Sequence, residues 1–347
     1  MKLSTLLGSV SVCLAASLAA AQDSELTILD YAGFELPEYH PAYIEAHGDS
    51  PSYSFFSDEE EAFQKVVAGF NADVSQICAG SVTKWVESGI IEPWDIDRIP
   101  AYGDLDAALT GQDVTEGIGD VYFLPHNFGA TAIAYNPEEV PAEDVSTLDV
   151  FTNPKYAGRV TMPDNTDDAF ALAYLATGVT DWADVSDAEF EAAANWLREV
   201  HPNIRTYWAD PAELTQLMST GEVLISWAWN ETLPTMVDEG RPIAYEREPV
   251  EGSSLWLCGY VNLADGGGSE DKAYDFINAM LDPVAAGPLM EAGFGHANTV
   301  GMADMSTEVL EAAGLGPIDA PVLAQLPISI EQRELQAETF EMIKSGF

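Results

Sequence analysis

Apolar residues along the chain switch between two spacings, and the switches mark the elements. ELTILDYAG, residues 25–33, reads as a short strand ending in a turn. In SDEEEAFQKVVAGFN, Ser57 and Glu60 have capping-box spacing, and Phe63, Val66, Val67 and Phe70 follow at helical intervals. ADVSQICAG predicts a second strand, after which Ser81 opens a short helix through VTKWVESG that Gly89 ends. Trp85 in that helix is expected to face solvent or pack locally. Strand–helix alternation over the first hundred residues implies a mainly parallel sheet.

Beyond it, FLPHNFGATAIAYNP, residues 123–137, is a long extended segment, and GRVTMPDN is a further strand. Ser186 with Glu189 caps a helix carrying Phe190, Ala193, Trp196, Leu197 and Val200. Asp210 and Pro211 start another, as N-cap and first helical residue, and it ends near Gly221. EVLISWAWN predicts a strand running into a loop, and the stretch around SSLWLCGYVNL, residues 253–264, a second long extended segment. GSEDKAYDFINAMLDP sets Ala273, Phe276, Ile277 and Met280 on one helix face. Two long extended segments in an otherwise regular α/β chain suit two lobes joined by crossing strands, with a ligand cleft between them. In LISWAWN, regular alternation aims Trp227 and Trp229 at one face. The strand must therefore bend or end between them, or both must line the cleft.

The length of 347 residues suits about two domains. A net charge of −45 changes the picture more. Nucleic acid is excluded as a partner, because phosphate binding needs a basic surface, and anionic membranes are disfavoured likewise. The acidity suits solubility in a saline habitat, or a field that draws cations into a cleft; the two are compatible. MKLSTLLGSVSVCLAASLAAAQ reads as a secretory signal over residues 1–21, cut near Ala21, which places the mature protein in the periplasm. Cys13 is no lipid attachment site, since Val12 stands where a small residue is needed. The mature chain keeps Cys78 and Cys258, a pair that invites a disulfide in an oxidising compartment. No phosphate loop, GxSxG elbow, HExxH or CxxC occurs, and five histidines are scattered. No metal, cofactor or catalytic residue is expected, and the protein is not expected to be an enzyme.

Taken in order, DYAGF, DVSQICAGSV, FLPHNFGATAIAYNP, YAGRVTMPDNTDDAF, LISWAWN, SLWLCGYVNL and GFGHAN resemble the spermidine/putrescine-binding proteins of bacterial ABC importers. The resemblance covers essentially the whole mature chain. It implies an α/β, two-lobed periplasmic binding protein type II fold, with two mixed sheets flanked by helices and joined by crossing hinge strands. Lobe 1 would comprise residues 22–130 plus 256–302, and lobe 2 residues 131–255 plus 303–347. The implied partners are a small cationic or amine ligand and the permease subunits of the inner membrane. The protein itself would be a monomer. A zwitterionic or quaternary ammonium solute, or a sensor role on the same fold, is the alternative.

The family holds its amine with aromatic walls and carboxylates. Rings desolvate the methylenes and attract cations, and a buried ammonium needs a paired charge. By resemblance, Tyr31 and Phe34 are the aromatics of the first turn. Asp168 aligns with one acid of the loop after GRVTMP, and Asn165, or Asp164 with a slip of one, with the other. Asp167 is as well read as a solvated capping acid. Trp229, Trp256 and Phe294 align with further aromatics, and Trp208 joins the candidates because it precedes a helix start. Trp227 is assigned to packing. Two departures stand out: Cys78 replaces a hydroxyl and Cys258 an aspartate. A Cys78–Cys258 disulfide under the cleft is the implied pairing. It would leave one end of the pocket short of charge, unless Glu231, Asp210 or Glu35 supplies it.

Overall fold

Residues 22–110, 120–182, 184–317, 319–320 and 322–347 are described by a computed structural model. The signal segment expected over residues 1–21 lies outside the described residues. The strands are β1 (Asp23–Tyr31), β2 (Pro51–Phe56), β3 (Val74–Cys78), β4 (Ile91–Glu92), β5 (Phe123–Tyr135) and β6 (Val160–Pro163). They continue with β7 (Ile204–Trp208), β8 (Ile225–Trp229), β9 (Ala244–Glu246), β10 (Ser253–Leu263), β11 (Gly295–His296) and β12 (Val322–Ala324).

The main ladder runs β2-β1-β3-β10-β5-β8-β6-β7. Its two flanks are parallel: β1 pairs with β2 and β3, and β6 with β7 and β8. The two long extended segments are its middle. β5 and β10 pair antiparallel, from Ser254 with Thr131 to Val261 with Phe123. Both are nearly continuous apolar runs, as strands covered on both faces must be. The two mixed sheets of the expectation thus share their crossing strands, and hydrogen bonding runs unbroken between them.

Local chemistry explains the helices. Ser186 and Glu189 form a capping box on the helix Asp187–Val200, and Asp210 caps the helix Pro211–Ser219. At the helix Glu59–Val67 the cap is Asp58 rather than Ser57; its side chain accepts from the Glu61 amide at 2.9 Å. Trp85 is buried, edge-on to Phe63. Four apolar clusters form the core. Two, around Leu124, Tyr260 and Phe276 and around Ile77, Trp85 and Val261, join β1, β3 and the far ends of β5 and β10. The other two, around Phe170, Leu197 and Trp227 and around Trp208, Leu214 and Met236, draw on β6 to β8. The helix Ile330–Lys344 is capped by Ser329 and contributes Phe340 and Ile343 to the second pair.

Candidate functional site

Where β1, β6 and β8 end, their following turns face one another across a cavity of about 580 Å³. Ligand sites of α/β sheets lie at such strand ends. One wall is aromatic. Tyr31 packs on Phe56, with ring centroids 4.4 Å apart. Phe34 stacks on Phe294 at 5.2 Å, and Trp256 meets Phe294 edge-on at 5.9 Å. The absence of a side chain at Gly129 makes this possible, because a Cβ there would collide with the Trp256 ring and the Asn230 amide.

The opposite wall is Trp229, the last residue of β8. Its Nε1 donates to Asp168 Oδ2 at 2.7 Å. Asp168 Oδ1 also accepts from Thr131 Oγ1 at 2.9 Å and from Gln325 Nε2 at 3.0 Å. The carboxyl is thus spanned by three neutral donors. Burial pushes it up to about 6, and the neighbouring Asp167 charge adds to this against the pull of those donors. Asn165 caps the helix Thr166–Thr177 and accepts from the Asp168 amide at 3.0 Å, which fixes where Asp168 points.

Trp227 and Trp229 do share a face. Their register against β5 is continuous, with Ile133 opposite Trp227 and Thr131 opposite Trp229. Depth separates them. Trp227 lies fully buried near Phe151, whereas Trp229 at the strand end reaches the cavity. Asn230 is a buried tie rather than a lining group. Its Oδ1 accepts from the Ala130 amide at 3.0 Å, and its Nδ2 donates to the carbonyls of Gly293 and Ala313.

Seven of the nine expected ligand positions, Tyr31, Phe34, Asn165, Asp168, Trp229, Trp256 and Phe294, line the cavity. Two do not. Trp208 is fully buried behind Trp229, at 4.6 Å and near right angles, and donates to Ser226 Oγ. As the final residue of β7 it turns into the core with Leu214 and Met218, away from the cleft. Asp164 instead pairs with Lys344 in a separate groove beside the helix Ile330–Lys344. Cys78 and Cys258 stand opposite one another on β3 and β10, are joined by a disulfide, and form part of the cavity floor.

Glu59, in the lining, and Arg333, beside it, were beyond sequence reasoning, whereas Asp167 and Glu231 were already candidates. Asp167 is no solvated cap: both its oxygens accept from Arg333 Nη1 at 2.9 Å. Gly80 leaves room for this pair, since a Cβ there would lie 2.9 Å from Asp167 Oδ2. Burial opposes the Arg333 charge, but Asp167 and Glu59 outweigh it and hold the guanidinium protonated. Glu59 is buried across from them. Desolvation and Asp167 push its carboxyl up, while Arg333 draws it down. Glu231, just after Trp229, is half-buried; its Oε2 is closed off from solvent and has no hydrogen-bond partner among the described residues. Desolvation pushes it up to about 8, with a further rise from Asp168. Among the described residues no group of three or more His, Cys, Asp or Glu is arranged to hold a metal ion.

Comparison with known proteins adds the following. Residues 51–309 match the family described as bacterial extracellular solute-binding protein. The chain is 24% identical over 360 residues to a putrescine/agmatine-binding protein of Pseudomonas aeruginosa, covering 96% of this chain and 95% of that one. It is 24% identical over 317 residues to the spermidine/putrescine-binding periplasmic protein of Escherichia coli, covering 90% and 89%. A crystal structure of a spermidine/putrescine ABC transporter substrate-binding protein from Streptococcus pneumoniae superposes with a TM-score of 0.72 at 19% identity, covering 93% of this chain and 99% of that one.

Proposed function

The chain belongs to the bacterial extracellular solute-binding proteins, and from that premise we propose that it captures a small amine of the polyamine class and presents it to an ABC permease. One observation carries this reading. Six carboxylates, of Glu59, Glu61, Asp167, Asp168, Asp210 and Glu231, line an aromatic-walled cavity whose lining, among the described residues, holds no lysine, arginine or histidine. Aromatic faces desolvate methylenes and attract ammonium groups, and the carboxylates supply the opposite charge. The relatives named for putrescine, agmatine and spermidine support the same ligand class.

Capture proceeds by closure of two lobes, residues 22–130 plus 256–302 against 131–255 plus 303–347, bending on the crossing strands. The separation of the apolar clusters on the two flanks of the sheet supports this division. Residues 1–21 are removed near Ala21, and the mature protein works in the periplasm as a monomer, with inner-membrane permease subunits as its partners. It performs no chemistry on its solute.

The test is a thermal-shift and calorimetric series on the mature protein with putrescine, spermidine, agmatine, betaine and neutral amino acids. Ligand at a hundredfold its Kd stabilises the folded state by about 2.7 kcal/mol. A rise in melting temperature with one or more of the amines is expected. A response to betaine or amino acids but to no amine would overturn the reading.

A further inference from the structure

Resting on the amine reading, we infer that Glu231 is the carboxylate that receives the ligand's buried ammonium, and that Arg333, from behind the cavity lining, already balances the Asp167 and Glu59 charges that a second ammonium would need. The cleft is thereby selective for amines that bury one charged nitrogen.

Five of the six lining carboxylates are already engaged by the protein's own groups. Asp167 is held by Arg333 at 2.9 Å, and Glu59 faces the same guanidinium. Glu61 pairs with Lys65 at 2.7 Å and accepts from the Ser57 amide. Asp210 is an exposed helix cap that accepts from the Glu213 amide. Asp168 is spanned by Trp229, Thr131 and Gln325. Glu231 alone of the six keeps a buried oxygen with no partner among the described residues.

Its position is also fixed. Asn230 ties the preceding residue to the Gly293 and Ala313 carbonyls. Gly293, with φ of +96°, lies so close that a Cβ there would be 2.7 Å from Glu231 Cα. Glu231 begins the helix Thr232–Asp238, but its side chain makes no capping hydrogen bond. A carboxyl that lines an aromatic-walled cavity and has one oxygen engaged by no described residue lacks only a cation. The ammonium would sit between Glu231 and the Trp229 face, with the Asp168 charge behind. A buried carboxylate left unpaired is costly, so a cation placed there is held strongly.

Arg333 gives the other half of the selectivity. It pairs with Asp167 from the helix Ile330–Lys344, in a neighbouring groove that Glu59 also lines. A ligand ammonium beside Asp167 and Glu59 would meet carboxylates whose charge a guanidinium already balances. The second nitrogen of a diamine therefore stays toward solvent, near exposed Asp210.

Calorimetry with 1-aminobutane, putrescine and spermidine on the wild type, Glu231→Gln and Arg333→Gln tests both parts. On the wild type the three ligands should bind within about tenfold of one another, because only one ammonium is buried. Glu231→Gln should weaken all three by about tenfold or more, the loss expected for one charge-assisted hydrogen bond. Having shed a desolvated carboxyl, it should melt no lower than the unliganded wild type, so weak binding cannot be misfolding. Arg333→Gln frees the Asp167–Glu59 end and should shift preference toward putrescine over 1-aminobutane. Equal binding by Glu231→Gln, or a wild-type preference for putrescine far above tenfold, would overturn the inference while leaving the amine reading intact. An unchanged preference in Arg333→Gln would overturn the role given to Arg333. Failure of every amine on the wild type would instead overturn the amine reading itself.

Discussion

Asp168 offers a test of the site that needs no ligand. It is 3% exposed, and its carboxyl is pushed from an ordinary 3.8 to about 6, chiefly by burial. A raised folded-state value has a definite sign. The group's contribution to stability is fully present below its unfolded value and is lost as pH rises through about 6. A shift of about 2 units corresponds to about 3 kcal/mol, fully lost by neutral pH. Asp168→Asn cannot ionise and escapes this loss. It carries another cost, because one carboxyl oxygen becomes an amide NH2. That amide must face either the Trp229 N–H or the Thr131 and Gln325 donors, which costs about 1–3 kcal/mol at every pH. Urea unfolding of the unliganded wild type and variant, from pH 5 to 7.5, avoids the sequence pI near 4.1. Other titrating groups cancel in the difference between the two proteins. That difference should move by about 1.5 kcal/mol in favour of the variant across this range. Parallel stability curves would mean that water reaches the carboxylate and that Asp168 is not held as described.

Trp227→Ala should cost about 3–5 kcal/mol in urea unfolding, as for a fully buried ring, while surviving protein keeps its amine affinity. Trp229→Ala should cost less in unfolding, about 1–3 kcal/mol through the donor lost from Asp168 Oδ2, and should also lose about 0.5–2 kcal/mol of amine binding in calorimetry; matching behaviour of the two would refute their separation by depth. Arg333→Gln should lower stability by about 3–5 kcal/mol by stranding Asp167 and Glu59, and adding Asp167→Asn should restore part of it. Reducing the Cys78–Cys258 bond, which closes a span of 180 residues, should lower unfolding stability by at most about 5 kcal/mol, measured with and without dithiothreitol.

What the sequence disclosed follows from how local each signal is. The long, largely apolar stretches of β5 and β10 could be read directly, because a strand covered on both faces needs no polar side. The Ser186 and Asp210 caps were equally legible, since a cap and its partner lie three residues apart. The slip from Ser57 to Asp58 is the expected failure where two good caps adjoin. The cleft aromatics became visible only through family resemblance, since Trp229 and Trp227 carry the same local pattern and differ in depth alone. Trp208 was misplaced for the same reason. Arg333 and Gln325 carried no local signal at all. Gln325 reaches the cavity, and Arg333 the acid loop behind it, from a C-terminal segment more than a hundred and fifty residues further along the chain.

The disulfide also constrains how the molecule can move. Cys258 lies midway along β10, and its bond to β3 rivets that strand to one flank of the sheet. From Cys258 onward β10 must travel with β3 as a rigid plate. Any relative rotation of the flanks is then confined to the remaining stretch, Ser253 to Leu257, and to Phe128–Thr131 opposite it on β5. Trp256 and Gly129 face one another inside that short pivot. The aromatic wall that would meet the solute therefore sits on the axle itself, and each degree of closure would be set at a residue of the cavity lining.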